Sequence, residues 1–155
     1  MLRKFIAFSL LIVIAITSCT QEEEVDYGPI DQKIIEDYIA EHEITGAQST
    51  ASGLYYVIQN PGSSNHPNLK SLLWVNYKGY LTNDTVFDSS YQNGKPSELA
   101  LASMIAGWKE GLQLIGAGGK MQLFVPSELA YGSTGKNSIP PNTVLLFDIE
   151  LVDFY

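Results

Sequence analysis

From Gly53 to the C-terminus the chain is punctuated in a way that a small sheet-rich domain satisfies and a helical bundle does not. Residues 54–59, 72–80, 120–125 and 144–154 are rich in β-branched and aromatic side chains, which pack well on a pleated, half-buried surface. Turn formers separate them, most clearly NPGSSN at 60–65 and the pair Asn93 and Gly94. Only residues 104–115 carry a helical stripe, with Ile105, Trp108, Leu112 and Ile115 at spacings of three to four and Gly116 placed to stop it. Strands that must bury one face against a single helix make an α+β domain.

The full chain has 155 residues, enough for one domain and short appendages. Its net charge of −8 is unevenly spread: residues 19–44 hold nine acids and one base, and residues 45–155 hold eight acids and six bases. The acidity therefore belongs to the N-terminal tract, and the sheet-rich part is close to neutral. No cluster of Lys or Arg occurs anywhere, so neither nucleic acid nor anionic lipid is an expected partner of the charge pattern.

The first residues, MLRK, put two cations ahead of an apolar run over 5–16, the layout of a secretory signal. The run is too short to span a membrane, which takes ~20 apolar residues. It leads into Ile16, Thr17, Ser18 and Cys19, which resembles a bacterial lipobox, and Cys19 is the only cysteine in the chain. A lone cysteine makes no intrachain disulfide. Resemblance to lipoproteins implies cleavage before Cys19, diacylglycerol on its sulfur and a further acyl chain on its amine, enough chains for stable anchoring. The expected division is a signal peptide over 1–18, an acidic tether and short helix over 19–51, and the sheet-rich domain over 52–155. Within the tether Asp31 is expected to cap a helix over 32–43, with Ile34, Ile35, Tyr38 and Ile39 on one side and Gly46 ending it. Residues 48–52 read as a small polar linker.

Four segments then become specific. VNYKGYLTNDTVFDSS over 75–90 looks like the signature V-x-Y-x-G-x-L-x-x-G-x-x-F-D-S-S of the FKBP-type peptidyl-prolyl isomerases, with Asp84 where glycine is usual. MIAGWKEGL over 104–112, PSELAYG over 126–132 and IPPNTVLLFDIEL over 139–151 are similar to later segments of the same family, in order and at its spacing. The resemblance covers about residues 52–155. It implies a bent antiparallel sheet wrapped around one short helix, with a pocket for a proline-containing peptide between them.

By that resemblance Tyr77, Phe87, Tyr131 and Phe147 form the walls, Trp108 the floor, and Met104 and Ile105 a backbone edge whose Ile105 amide receives a peptide carbonyl. Asp88 holds a polar group near the twisted amide, and Ile139 closes the loop side. Ser97 and Leu99 stand where many relatives carry phenylalanine, which opens one wall. Asn93 stands near the place where some relatives have an arginine that pairs with the pocket aspartate. For a lone aromatic on a strand, core packing is the simpler role, and the joint spacing of four segments is what outweighs it. The resemblance implies isomerisation of prolyl bonds in exported proteins, with no cofactor and no metal. The layout of lipobox, acidic linker and terminal isomerase domain is also similar to gliding-motility-associated lipoproteins of Bacteroidetes. The competing class is a lipoprotein that binds proline-containing peptides as a chaperone or scaffold without turning them over.

Overall fold

The computed structural model of the protein describes residues 25–155. The expected signal segment, Cys19 and the first residues of the acidic tract lie outside the described residues. Helix α1 (Gly28–Glu41) comes first, followed by strands β1 (Gln48–Ser49), β2 (Tyr55–Asn60), β3 (Leu72–Tyr80), β4 (Val86–Ser89) and β5 (Ser97–Ala100). Helix α2 (Ala106–Gly111), β6 (Gly119–Val125) and β7 (Leu145–Phe154) complete the set. The sheet runs β1-β2-β6-β7-β3-β4, with β5 also on β3, and every pairing is antiparallel. Register shifts at Ile58/Asn60, Trp74/Val75 and Gly79/Tyr80 supply bulges, which bend strands and increase twist. The expected α+β fold, a curled antiparallel sheet around a short helix, is what the chain adopts.

Strand alternation divides the side chains between two cores. On the concave face Val75, Met121, Leu123, Val125, Leu145, Ile149 and Leu151 bury against Trp108, Leu112 and Ile115. On the convex face Phe124, Leu146, Val144 and Tyr80 pack against Ile35 and Tyr38 of α1. Farther along that face the same strands carry polar residues that pair across strands: Lys78 with Asp148 at 3.3 Å, and Lys120 with Glu150 at 3.3 Å. Thus β7 alternates apolar inward residues with an outward row that changes from Leu146, under α1, to Asp148 and Glu150 beyond it.

Several expectations need correction. Helix α1 begins at Gly28, a turn before the expected start, and Asp31 is not its cap: the N-cap is Tyr27, whose own side chain makes no capping bond, and Asp26 Oδ1 accepts from the Gly28 N–H at 3.0 Å. Pro29 sits in the first turn, where its missing N–H would have been unpaired anyway. Asp31 is instead buried at 1% exposure, and its Oδ2 accepts hydrogen bonds from the Ser127 N–H at 2.7 Å and the Ser127 hydroxyl at 2.6 Å. The helix ends at Glu41, before Gly46 is reached. Gln48 and Ser49, read as linker, pair with Tyr56 and Tyr55.

The expected helix over 104–115 is also shorter. Met104 (ψ 166°) and Ile105 (ψ 157°) are extended, α2 occupies only Ala106–Gly111, and a 3-10 turn follows over Leu112–Leu114. The helix packs closely on the sheet. A Cβ on Gly107 would lie 2.5 Å from Val125 and one on Gly111 2.7 Å from Leu123, so the helix approaches β6 through its two glycines.

Candidate functional site

Strand β3 organises the site. Its central residues pair with β4 on one side and β7 on the other, placing Gly79 opposite both Asp88 and Phe147, and Tyr77 opposite Ile149. Gly79 has no side chain, and the rings of Phe87 and Phe147 occupy that space: a Cβ there would be 2.7 Å from Phe87 and 2.9 Å from Phe147. The two rings meet edge to face at 5.6 Å between centroids, with planes at 88°. Trp108, rising from α2, meets Phe147 at 5.4 Å and 82°, and Tyr77 at 5.2 Å and 88°. The four rings form one chain of edge-to-face contacts, each of the kind worth ~0.5–1.5 kcal/mol beyond burial.

These rings line a cleft of about 380 Å³, within the range of small-molecule sites. Of the residues the resemblance singled out, Tyr77, Phe87, Asp88, Met104, Ile105, Trp108, Tyr131 and Phe147 line it. Ile139 does not: it is buried in the concave core, because mutual backbone bonds between Lys136 and Ile139 make a tight turn that leaves Lys136 on the cleft instead. Ser103, Ala130 and Lys136 line the cleft without having been singled out. Leu99 lines it too, where an aromatic ring would have built a taller wall. Asn93 belongs to a separate surface depression beside Trp74.

The polar groups are few. The Tyr77 hydroxyl donates to Asp88 Oδ2 at 2.8 Å, so the carboxylate is held by a phenol on the neighbouring strand and not from the Asn93 position. The serines after Asp88 fix the backbone behind that pair. The Tyr77 N–H donates to Ser90 Oγ at 2.8 Å, and the Ser89 hydroxyl donates to the Tyr77 carbonyl at 3.3 Å. Two donors on residues that line the cleft have no partner among the described residues: the Trp108 indole N–H, which is itself buried, and the Ile105 backbone N–H, which precedes the first turn of α2. A peptide carbonyl would satisfy the latter. Among the described residues no cluster of His, Cys, Asp and Glu suits a metal ion.

Burial, followed by the Asp88 carboxylate, pushes the Tyr77 phenol above its ordinary value of 10.0, and burial followed by Asp148 does the same to Tyr80 on the convex face. Above about pH 10 an unfolded chain has lost these protons while the folded one keeps them, so the unfolded state binds fewer protons and stability falls as pH rises. Denaturant midpoints measured from about pH 8 to 11 should decline, and Tyr77→Phe or Tyr80→Phe should flatten the decline. Equal slopes in all three proteins would contradict the assignment.

Comparison with known proteins agrees with this geometry. The family model described as FKBP-type peptidyl-prolyl cis-trans isomerase matches residues 63–152. The chain is 48% identical over 112 residues to the FKBP-type peptidyl-prolyl cis-trans isomerase FkpA of Buchnera aphidicola (subsp. Schizaphis graminum), covering 72% of this chain and 44% of that protein. Against FkpA of Escherichia coli K12 it is 44% identical over 108 residues, covering 70% and 40%. The chain thus spans less than half the length of these curated relatives. Among solved structures, Escherichia coli FkpA superposes with a TM-score of 0.74 at 39% identity, over 83% of this chain and 61% of that one. A peptidyl-prolyl cis-trans isomerase from Pseudomonas syringae superposes at 0.69 and 30% identity, over 85% of this chain and 98% of that one. With its motifs assembled around one aromatic cleft, the chain belongs to the FKBP-type peptidyl-prolyl cis-trans isomerase family.

Proposed function

We propose that the protein catalyses cis-trans isomerisation of prolyl peptide bonds in polypeptide clients. The observation that carries the reading is the aromatic cleft over Trp108, with its single carboxylate already hydrogen-bonded to Tyr77. Rotation about a prolyl amide must break resonance across a barrier of ~18–20 kcal/mol, and unassisted it takes tens to hundreds of seconds. The twisted amide is less dipolar than the planar one, so replacing water by aromatic walls disfavours the ground state relative to it. In this reading the prolyl ring rests on Trp108 between Tyr77, Phe87, Tyr131 and Phe147. A peptide carbonyl takes the free Ile105 N–H, along the edge built by Met104 and Ile105, and Asp88 accepts from or repels polar groups at the rotating bond. A thousandfold acceleration asks ~4 kcal/mol of these contacts together, and none of them has to be a nucleophile.

The test is a protease-coupled assay on a Leu-Pro peptide with the full chain and with Phe147→Ala. Catalysis predicts a rate well above background that falls at least about tenfold in the variant. A folded protein that binds prolyl peptides at background rate would be a binding module instead.

The N-terminal part of the reading is that residues 1–18 are a signal, Cys19 is the lipidated first residue, and 19–51 tether the 52–155 domain to a membrane of the cell envelope. Its clients would then be exported proteins. The sequence of residues 16–19 and the acidic tract after it support this, as does the layout shared with gliding-motility lipoproteins. Cys19→Ser should abolish membrane association on fractionation. A correctly processed variant still in the membrane fraction would refute lipidation.

A further inference from the structure

Lys136 is the one cation among the residues lining the cleft. The turn that carries it is closed on both sides: the Lys136 N–H donates to the Ile139 carbonyl at 3.0 Å and the Ile139 N–H to the Lys136 carbonyl at 2.8 Å. Gly135 and Asn137 flank it at φ 66° and 51°, and a Cβ on Gly135 would come within 2.5 Å of the Ile139 oxygen. The backbone under the lysine is therefore fixed. Its ammonium lies 5.0 Å from the centroid of the Tyr131 ring, a cation–π distance that keeps it over the cleft wall. Lys33, Lys78 and Lys120 are each spent on a carboxylate, Asp37, Asp148 and Glu150 respectively. Among the described residues Lys136 has no such partner, in a chain whose net charge is −8. The other charged lining residue, Asp88, is engaged by Tyr77.

We infer that Lys136 biases the cleft toward clients with an acidic side chain adjacent to the proline. The inference rests on the prolyl-isomerase reading. With the prolyl ring on Trp108, a neighbouring Glu lays its methylenes along Tyr131 and its carboxylate meets the ammonium. An apolar neighbour keeps the packing and forgoes the ion pair, so the effect is a preference and not a requirement. A neighbouring lysine meets repulsion. Because Lys136 is exposed, the pair is screened and contributes about two- to fivefold in kcat/KM, less at high salt.

The experiment compares otherwise identical peptides with Glu, Leu or Lys immediately before the proline, and a second set with the same residues immediately after it. The proteins are the full chain, Lys136→Met and Lys136→Glu, at low and at high ionic strength. The quantity read is the ratio of kcat/KM for Glu over Lys within each protein, so that any general change in turnover cancels. At one of the two positions the native ratio should exceed unity by about threefold or more, fall toward one in Lys136→Met, invert in Lys136→Glu and shrink with salt. The same ratio in the native protein and Lys136→Glu at both positions overturns the inference. Turnover of the Leu peptide by the native chain tests the isomerase reading separately. If turnover is absent, the Glu-to-Lys ratio of peptide affinities still decides whether Lys136 selects.

Discussion

Gly79→Ala is expected to lower kcat/KM for a prolyl peptide by about 10- to 100-fold in a protein that still folds. The added methyl would lie 2.7 Å from the Phe87 ring and 2.9 Å from Phe147, closer than carbon atoms can sit. Phe147 is only 5% exposed and is gripped by Trp108, so it has nowhere to go. Phe87 is half-buried at the end of an edge strand and can swing outward, so it yields. The rest of the core is untouched, and the overpacking cost should be in the ordinary range of ~1–3 kcal/mol. In the prolyl-isomerase reading, what is lost is the wall that would exclude water from the rotating amide, and each tenfold of rate is worth only ~1.36 kcal/mol of it. Thermal unfolding measured beside the coupled assay separates the two effects. Native turnover in the alanine variant would mean that the packed Phe87–Phe147 pair is not part of the working cleft.

Asp31→Ala should cost stability, by roughly 2–4 kcal/mol, because it leaves the Ser127 N–H and hydroxyl buried without an acceptor. An ordinary N-cap lost from an exposed helix end would cost nearer ~1 kcal/mol. Offsetting this, the Asp31 Oδ1 is itself buried without a partner, so its removal relieves some desolvation and brings the cost below that of two bonds lost outright. Urea unfolding of Asp31→Ala, Ser127→Ala and the double variant measures the coupling. A loss under about 0.5 kcal/mol in the first would show that the contact does not hold α1 to the sheet. Ser127 also begins the turn that runs on to Ala130 and Tyr131, so the cleft wall farthest along that segment should feel the loss.

The four long strands were legible because each repeats β-branched and aromatic residues over several positions; β3 occupies Leu72–Tyr80 as expected, β6 and β7 differ by one residue at their first end, and β2 is shifted by one residue at both ends. Strands β4 and β5 were not legible. Asp88, Ser89, Ser97 and Glu98 are poor strand formers, and their extended conformation is imposed by pairing with β3. Asp31 satisfied every local rule for a cap, yet its partner lies 96 positions away, which no window along the chain can register. Met104 and Ile105 fit the helical stripe and are nevertheless extended, which is what leaves the Ile105 N–H free. Aromatic cleft residues were legible through four motifs read together. Lys136 was not, because a lysine in a Gly/Asn/Ser loop has the same appearance whether it faces solvent or a cleft.

The chain holds two tryptophans, and the fold puts them in opposite circumstances. Trp108 is 3% exposed, with an indole N–H that meets no acceptor, so its excited state has little to relax it and should emit at short wavelength. Trp74 stands half-exposed on the other face of β3, 5.0 Å from Tyr155, and should emit at longer wavelength whatever the cleft contains. An unlabelled peptide entering the cleft therefore alters one band and leaves the other as an internal standard. The protein carries its own optical gauge of cleft occupancy, usable with peptides that have no chromophore.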